Sequence, residues 1–465
     1  MRGADSARKN GPDQRRVPPP LTFPRFPAML PPMTSSTAEA PGRSFRLVCE
    51  PCAIPGVEAL LRAQGYAFEP EPFSPLCRRL VAEPAPLGRS LAAFFGYIYI
   101  QDRSSMLPPL ALAPKPGDAV LDMCASPGSK SGFLAQLVGK DGFVLANEPN
   151  PARLATLRAN LHVCNLIQAG TCAYPGERLP LGAGSWRRIL LDPPCSGWGT
   201  AEKHPRTLRL WREDKVGPLV SLQRRLLRHA AKLLAPGGLV LYSTCTTNEA
   251  ENEAQARFAE DELGLVRVPL APFPGFTFEE RPGGGGTLRV DGARSGAQGF
   301  YLALLRAPGT EASAPEVPMD GARARRAAGS GIPLPPSSLA GPCCDPGRLP
   351  PGGVFRFGDK ARFVPPAAPG LLPPSFVWQA PLLGRLDGAG AFAPAPRLRC
   401  LMPEAPEGGP APQSLVLEDV AEVTALLEGR ALQTELEGRE AALWWRDLPL
   451  GCIGLRQGRA LAAFR

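Results

Sequence analysis

The sequence predicts a doubly wound α/β sheet over residues 117–306, and three observations lead to it. Short apolar runs alternate there with amphipathic stretches of helical period, the pattern of parallel strands joined by crossover helices. Pro151 opens one of these stretches, where proline is favoured because the first helical N–H has no partner. Pro236-Gly237-Gly238 follows another and is expected to end it just before a strand.

The expected elements follow one another in regular order along this segment. The strands are expected at Ala119–Met123, Phe143–Ala146, Leu166–Gln168, Arg188–Leu191, Leu239–Ser243 and Phe300–Leu305. The helices are expected between them, at residues 129–138, 151–162, 217–234 and 248–262. Ligands bind such sheets at the carboxyl ends of the strands, so the residues that follow each strand are the candidates for a site.

The segments on either side differ in composition. Residues 1–42 are rich in Pro and Arg without apolar periodicity, which is typical of a disordered basic tail. Residues 43–100 predict a small N-terminal α+β domain, with a strand at Phe45–Val48, a helix at Val57–Gln64 and a buried strand at Phe94–Ile100.

The C-terminal third divides into two parts. Residues 307–350 are rich in Pro, Gly and Ala and are interpreted as a linker. Residues 351–465 resume apolar patterning and predict a small, mostly β accessory domain.

Composition narrows the classes of function. The 52 Lys and Arg residues against 43 Asp and Glu give a net charge of +9, which favours a polyanionic partner. No apolar run reaches the roughly 18 residues of a membrane-spanning helix, and no secretory signal is recognisable, so a cytoplasmic protein is expected. The 12 cysteines include one CxxC, Cys49 to Cys52, without a second pair nearby, so no metal is expected.

A first motif runs from an apolar strand through a tight turn into a helix. It reads Cys124-Ala125-Ser126-Pro127-Gly128-Ser129-Lys130, and its small residues let a ligand approach backbone amides. The next strand ends at Glu148, an acid able to accept both ribose hydroxyls of an adenosyl group. Neither GxGxxG nor GxxxxGK[ST] is present, so a nucleoside without a pyrophosphate, such as S-adenosylmethionine, fits best. The plain alternative is a simple turn at Gly128 and a surface acid at Glu148.

Two further motifs place cysteines at strand ends. Asp192-Pro193-Pro194-Cys195 follows one expected strand, and Cys245 follows the next. The prolines stiffen a shelf on which a flat base can stack while its edge meets Asp192. Carbon 5 of a pyrimidine is a weak nucleophile until a thiolate adds to the neighbouring ring carbon, so a thiol of lowered pKa suits methyl transfer there. The plain alternative is that both cysteines are small buried apolar residues.

Taken together, these motifs resemble those of the Sun-type RNA (cytosine-5) methyltransferases. The resemblance is carried in order by Tyr99–Pro108, Asp122–Lys130, Asp192–Gly197, Ser243–Thr246 and Gly299–Tyr301. It implies a Rossmann-like methyltransferase core over residues 101–306 that uses S-adenosylmethionine. Leu448-Pro449-Leu450-Gly451 and the residues beyond it resemble the PUA-like RNA-binding domain of the bacterial ribosomal-RNA branch.

The resemblance also implies residue roles. Cys245 would attack the cytosine ring, Cys195 would assist breakdown of the covalent adduct, and Asp192 would hold the base edge with support from Lys130. The cofactor would be lined by Cys124, Ala125, Ser126, Pro127, Gly128, Ser129, Lys130, Glu148 and Asp192.

Two departures from the family pattern stand out. The family has an acid after the third strand that reads adenine, whereas this chain has Thr171 there, so adenine would be held by backbone or by Thr171, or the affinity for the cofactor would be reduced. The N-terminal domain is shorter than in the family.

The sequence therefore predicts a monomeric methyltransferase that modifies a flipped cytosine in RNA, with ribosomal RNA as the expected partner. Lys203, His204 and Arg206 are candidate contacts to that RNA. Transfer RNA is the alternative substrate, and an exocyclic nitrogen is the alternative methyl acceptor, since Asp-Pro-Pro resembles the shelf of amino-methyltransferases. An RNA-binding assembly factor with weakened catalysis is a further alternative, because the acid near Thr171 is missing.

Overall fold

The computed structural model of the protein describes residues 43–200, 216–310, 331–405, 408–462 and 464. The tail expected over residues 1–42 and the RNA contacts expected at Lys203, His204 and Arg206 lie outside these ranges.

The first described domain is a four-stranded antiparallel sheet in the order β2-β3-β1-β4, covered by two helices. Its elements are β1 (Ser44–Leu47), α1 (Ile54–Ala63), β2 (Ala67–Pro70), β3 (Cys77–Ala82), α2 (Leu91–Phe94) and β4 (Ile98–Ile100).

The prediction of a buried strand over Phe94–Ile100 is wrong for residues 94–97. The Ser90 side chain accepts a hydrogen bond from the N–H of Ala93 and starts α2, so Phe94 ends a helix. Gly96 then turns the chain with a φ of 69° and lies so close to Val163 that a Cβ would meet its carbonyl oxygen. Only the last three residues of the apolar run remain as strand β4.

The central domain alternates strands and helices as the sequence predicts. Its elements are α3 (Leu107–Leu112), β5 (Ala119–Asp122), α4 (Ser129–Leu137), β6 (Phe143–Asn147), α5 (Pro151–Val163), β7 (Ala169–Cys172), β8 (Trp186–Leu191), α6 (Gly217–Leu233), β9 (Leu234–Thr244), α7 (Glu253–Leu263), β10 (Val266–Val268), β11 (Leu288–Val290), α8 (Gly292–Ser295) and β12 (Phe300–Arg306).

The C-terminal part contains two five-stranded sheets. Its elements are β13 (Ile332–Leu334), β14 (Gly353–Phe357), β15 (Lys360–Val364), α9 (Ala368–Leu371), β16 (Trp378–Gln379), β17 (Leu382–Leu386), β18 (Phe392–Pro394), β19 (Ser414–Leu417), α10 (Val420–Leu427), β20 (Leu432–Gln433), β21 (Glu440–Trp445), β22 (Leu448–Arg456) and β23 (Arg459–Leu461). One sheet runs β13-β14-β15-β17-β18 and the other β19-β21-β22-β23-β20. Residues 331–350 fell within the expected linker, yet they form β13 and bury Leu339, Cys343 and Cys344.

The central sheet has nine strands and a path of β10-β12-β9-β8-β5-β6-β7-β16, with β11 paired to β12. The five strands β5 to β9 are parallel, and β12 is antiparallel to β9. This order confirms the doubly wound α/β core. The direction of winding reverses between β5 and β8, so the crevice for a ligand opens at the carboxyl ends of these two strands.

Two sequence expectations within the core are corrected. Leu166 and Ile167 are buried in the turn after α5 rather than in a strand, because Asn165 turns the chain at a φ of 57°. The third strand is instead β7, whose Gly170 packs under the ring of Trp378 from β16. Pro236-Gly237-Gly238 also lies inside β9 rather than before it, since that strand already pairs with Trp186 through Leu234.

The N-terminal domain and the last sheet share one apolar core. Buried residues on both sides include Phe45, Leu60, Leu443 and Trp445. The Tyr97 hydroxyl donates to the Pro449 carbonyl across this contact. The C-terminal part also packs onto the rest of the protein at the β7–β16 edge and where the Asn165 side chain bonds to the backbone of Arg397 and Arg399.

Candidate active site

The predicted catalytic side chains converge at the carboxyl ends of adjacent strands. Asp192 follows β8 and Cys245 follows β9, and these parallel strands pair through Leu191 and Tyr242 just before them. Cys195 returns to the same place after Pro193 and Pro194. The strand order therefore brings together residues that lie about 50 positions apart in the chain.

Asp192 is held from two sides. The Lys130 ammonium at the start of α4 donates to its Oδ2 at 2.7 Å, and the Ser243 hydroxyl in β9 donates to its Oδ1 at 2.8 Å. The Lys130 side chain is 12% exposed and that of Asp192 24%, so this ion pair is only weakly screened by solvent. Lys130 also lies over the Phe300 ring, with its Nζ 5.3 Å from the ring centre. The carboxylate is thus fixed in direction at the mouth of the crevice.

The two thiols are in direct contact. The Sγ atoms of Cys195 and Cys245 are 3.4 Å apart, and both residues are partly buried. A hydrogen bond from the Cys195 thiol lowers the pKa of Cys245, and the nearby Lys130 charge lowers it further, against burial and the Asp192 charge. The same hydrogen bond and burial raise the pKa of Cys195. The pair therefore favours a thiolate on Cys245 and a protonated thiol on Cys195.

The loop of small residues after β5 packs closely against helix α5. Gly128 has a φ of 105°, and a Cβ there would lie 3.0 Å from the Leu157 side chain. The Asn160 amide donates to the Pro127 carbonyl at 2.8 Å, and the Ser126 hydroxyl donates to the Arg153 carbonyl at 3.0 Å. All three supporting residues lie on α5, which fixes the loop against that helix.

Glu148 lies at the end of β6, across the crevice from Asp192. It is almost completely buried; its Oε1 accepts from the N–H of Asn150 at 2.9 Å, and its Oε2 is 3.3 Å from Arg153 Nε. The neighbouring Asn147 amide bonds to the carbonyls of Met123 and Tyr174. These contacts tie the tips of β5, β6 and β7 together.

The chemistry of this crevice fits an adenosyl sulfonium. Cys124, Ser126, Ser129 and Lys130 are partly accessible, while Ala125 and Gly128 are buried and Pro127 is exposed. The flanking carboxylates of Glu148 and Asp192 suit a ribose diol and a positive charge, respectively. Thr171 is buried, and its hydroxyl accepts from Arg158 Nε at 2.9 Å, so one of its two lone pairs is already used.

Several buried polar residues around the thiols were not found from the sequence. Ser196 and Thr246 immediately follow the two cysteines, and Glu251 accepts hydrogen bonds from Ser196. Asp122 at the end of β5 is also buried; burial, together with the Asp192 charge, raises its pKa to about 6. The signal in the sequence is a hydroxyl residue directly after each cysteine and the acidic run from Glu249 to Glu253.

Over the described ranges, no group of three or more His, Cys, Asp or Glu side chains is placed to bind a metal ion. No helix in that part of the chain is both long and apolar enough to cross a membrane.

Comparison with known proteins shows which family the chain is similar to. Residues 109–306 match the family model of the 16S rRNA methyltransferase RsmB/F. The ribosomal RNA small subunit methyltransferase F of Shewanella amazonensis is 36% identical over 217 residues, which are 45% of this chain and 45% of that protein. The tRNA (cytosine(49)-C(5))-methyltransferase of Pyrococcus abyssi is 34% identical over 229 residues, which are 48% of this chain and 74% of that protein.

A solved structure shares the fold as well. A methyltransferase homologue from Pyrococcus horikoshii is 30% identical, with a TM-score of 0.51, over 58% of this chain and 87% of that one. The chain spans about half the length of the ribosomal RNA methyltransferases it matches. Its match to the Pyrococcus abyssi enzyme covers 74% of that protein. The chain belongs to the Sun-type RNA (cytosine-5) methyltransferase family.

Proposed function

We propose that the protein transfers a methyl group from S-adenosylmethionine to carbon 5 of a cytosine in RNA, with ribosomal RNA as its substrate. The observation that carries this proposal is the 3.4 Å contact between the Cys195 and Cys245 thiols beside the Lys130–Asp192 pair. Methylation of an exocyclic nitrogen requires no thiol, because that nitrogen has its own lone pair. Two thiols at the strand ends therefore favour the ring carbon as acceptor.

The reaction begins at Cys245. Its thiolate forms a bond to carbon 6 of the cytosine, and the electron pair of the 5,6 double bond makes carbon 5 nucleophilic. S-adenosylmethionine, when bound, supplies the electrophilic methyl group. Carbon 5 would take this methyl group while the bond between the methyl carbon and the sulfonium sulfur breaks and leaves a neutral thioether. A base then removes the proton from carbon 5, and the C6–S bond breaks to return the thiolate.

The other residues bind the base and the cofactor and assist release of the product. Asp192 holds the polar edge of the base, since Lys130 and Ser243 each bond to one of its oxygens and, within the described ranges, leave a second lone pair on each oxygen for the base. Cys195 keeps its proton while Cys245 attacks and then assists breakdown of the adduct and product release. The cofactor lies along Cys124–Lys130, between Glu148 and Asp192.

The rest of the chain serves RNA binding in this proposal. The net charge of +9 attracts a polyanion. Residues 351–465 act as a PUA-like RNA-binding domain, and the protein works as a monomer in the cytoplasm.

Transfer RNA is the second candidate substrate. The observation in its favour is that the Pyrococcus abyssi tRNA enzyme is matched over 74% of its length, against 45% for the Shewanella amazonensis ribosomal RNA enzyme.

The deciding experiment incubates the full chain with methyl-labelled S-adenosylmethionine and, separately, small ribosomal subunits, free ribosomal RNA and transfer RNA. We expect labelled 5-methylcytidine in the ribosomal RNA after digestion to nucleosides. Label in transfer RNA alone would select the second candidate, and N4-methylcytidine would overturn the chemistry. RNA binding without cofactor binding in calorimetry would indicate an assembly factor instead.

A further inference from the structure

Glu251 is a buried carboxyl group for which the reaction above has no use. It is fully inaccessible to solvent and lies six residues beyond Cys245, in the turn that leads from β9 to α7. Among the described residues it forms no ion pair, and every donor that reaches its carboxyl oxygens is a neutral group. Burying a carboxylate without a neighbouring cation lowers the free energy of unfolding, unless its hydrogen bonds compensate for the water that it loses.

Those hydrogen bonds converge on the residue next to Cys195. Oε1 of Glu251 accepts from the Ser196 hydroxyl at 2.5 Å, and Oε2 accepts from the Ser196 N–H at 2.9 Å. The Gln223 amide on α6 donates to Oε2 at 3.2 Å and to the Pro194 carbonyl at 3.0 Å. The carboxyl group thus bonds directly to the residue after Cys195 and, through Gln223, to the residue before it.

The same arrangement extends to the residue next to Cys245. The hydroxyl oxygens of Ser196 and Thr246 are 2.7 Å apart. Because the single Ser196 hydroxyl proton goes to Glu251, Thr246 must be the donor in this pair. Thr246 Oγ1 in turn accepts from the N–H of Asn248 at 3.3 Å. One continuous chain of donors therefore runs from the Cys245 turn through both hydroxyls into Glu251.

The turn that carries Glu251 is itself fixed. The Tyr242 hydroxyl donates to the Glu251 carbonyl at 2.6 Å, and the Asn252 amide donates to the Thr246 carbonyl at 2.9 Å. Glu251, which lies between the two cysteine loops, is therefore fixed through its backbone as well as through its side chain.

We propose that Glu251 is a positioning residue that sets the distance between the two catalytic thiols through Ser196 and Thr246. This inference rests on the proposed function, which gives the two thiols their catalytic roles. It adds the residue that keeps the two sulfur atoms at contact distance. Glu251 touches neither sulfur and positions them through the residues that follow them. Its charge also helps to raise the pKa of Cys195, and Thr246→Val leaves that charge in place. Loss of Glu251 lets the two loops separate, which breaks the thiol–thiol hydrogen bond on which a reactive Cys245 depends.

The test measures the reactivity of Cys245 directly, without RNA. The full chain and its variants are alkylated with iodoacetamide across a pH series, and modification of the Cys245 peptide is followed by mass spectrometry. The titratable groups that face this thiol are Cys195, Lys130 and Asp192, and none of them is changed.

In Glu251→Gln the amide has one acceptor oxygen instead of two, so it cannot accept from both the hydroxyl and the N–H of Ser196, and the donor chain from Thr246 is interrupted or reversed. We expect the apparent pKa of Cys245 to rise and its alkylation at pH 7 to slow about threefold to tenfold, since the thiolate fraction falls tenfold per pKa unit. Thr246→Val keeps the shape but removes the hydroxyl donor, and it should shift the profile in the same direction. Glu249→Gln is the matched control, because the Glu249 side chain is 69% exposed and forms an ion pair with Arg257.

Unfolding midpoints accompany each variant. If Glu251→Gln does not fold, Thr246→Val carries the test. A folded variant of either kind whose alkylation profile matches that of Glu249→Gln overturns the proposal. With an active RNA substrate, kcat should fall while KM for RNA stays unchanged. If the unsubstituted protein methylates no RNA, the proposed function fails, while the alkylation profiles still decide the role of Glu251.

Discussion

The Sγ atoms of Cys195 and Cys245 are 3.4 Å apart, although each belongs to a different strand end. At this separation one thiol can donate a hydrogen bond to the other, so their ionisation is unequal. The hydrogen bond lowers the pKa of Cys245 and raises that of Cys195. The geometry thereby gives the two chemically identical side chains different acidities.

The first prediction concerns the covalent adduct. Cys245→Ala should abolish adduct formation with substrate RNA, because the attacking sulfur is gone. Cys195→Ala should accumulate the adduct, because its breakdown is slowed while attack continues. Both are read as a slow-migrating protein–RNA band in a denaturing gel after incubation with cofactor. The opposite pattern would exchange the roles of the two cysteines.

The second prediction concerns the pH dependence of attack. Removing the Cys195 donor raises the pKa of Cys245, so the acidic limb of the rate of adduct formation should move to higher pH in Cys195→Ala. Cys195→Ser retains a hydroxyl donor and should show a smaller displacement. Single-turnover adduct formation measured between pH 6 and pH 9 compares the two variants. Coincident profiles would show that the thiol contact does not activate Cys245.

The third prediction concerns Lys130. Lys130→Met leaves one Asp192 oxygen without its donor and removes the positive charge near Cys245. We expect a loss of about 10²- to 10³-fold in the single-turnover methylation rate, comparable to the loss of one preorganised donor in other active sites. Lys130→Arg keeps the charge and should lose less. If the methylation rate of Lys130→Met lies within a few fold of the unsubstituted rate, Lys130 does not contribute to the reaction.

The sequence alone predicts that the candidate site residues lie close together. Lys130, Asp192, Cys195 and Cys245 each follow a run of apolar residues that is readable as a strand, and parallel order brings such strand ends together. The convergence of these side chains was therefore accessible from local patterning.

The remaining features depend on partners that are distant in the chain. Strand β7 reads Ala-Gly-Thr-Cys, which has little intrinsic strand preference, and it is completed by β16 from about 200 residues later. Likewise, Glu251 gains its role only because α6 and the Cys195 loop surround it. Neither relationship leaves a periodic signal in the sequence.

The fourth prediction concerns the pH dependence of stability. Burial raises the pKa of Asp122 from about 3.8 to about 6. As pH rises through this range the unfolded chain loses its proton first, so the free energy of unfolding falls between about pH 4 and pH 6 and stays lowered above it. The Asp122 contribution is at most about 3 kcal/mol, from ~1.4 kcal/mol for each pKa unit.

Asp122→Asn removes this titration, so its free energy of unfolding relative to the unsubstituted protein should increase from pH 4 to pH 6. Urea unfolding at several pH values measures the difference, and Asp141→Asn at an exposed position is the control. A difference that is constant with pH would mean that Asp122 does not titrate in this range.

The last prediction concerns the edge of the central sheet, where the C-terminal part packs onto the core. A Cβ on Gly170 would lie 2.5 Å from the Trp378 ring, and both residues are in paired strands that cannot separate freely. Gly170→Ala should therefore lower the free energy of unfolding by about 1–3 kcal/mol, as overpacking does elsewhere. Gly388→Ala is the control, because no atom of the described residues lies within 4 Å of a Cβ there.

The clash requires the indole, so it should vanish when the indole is removed. In a Trp378→Ala background, Gly170→Ala should cost close to nothing, and a double-mutant cycle by urea unfolding measures this coupling. If the cost of Gly170→Ala is the same in both backgrounds, Trp378 does not pack on β7 in solution. The C-terminal part would then be joined to the core without this contact, and the sheet would end at β7.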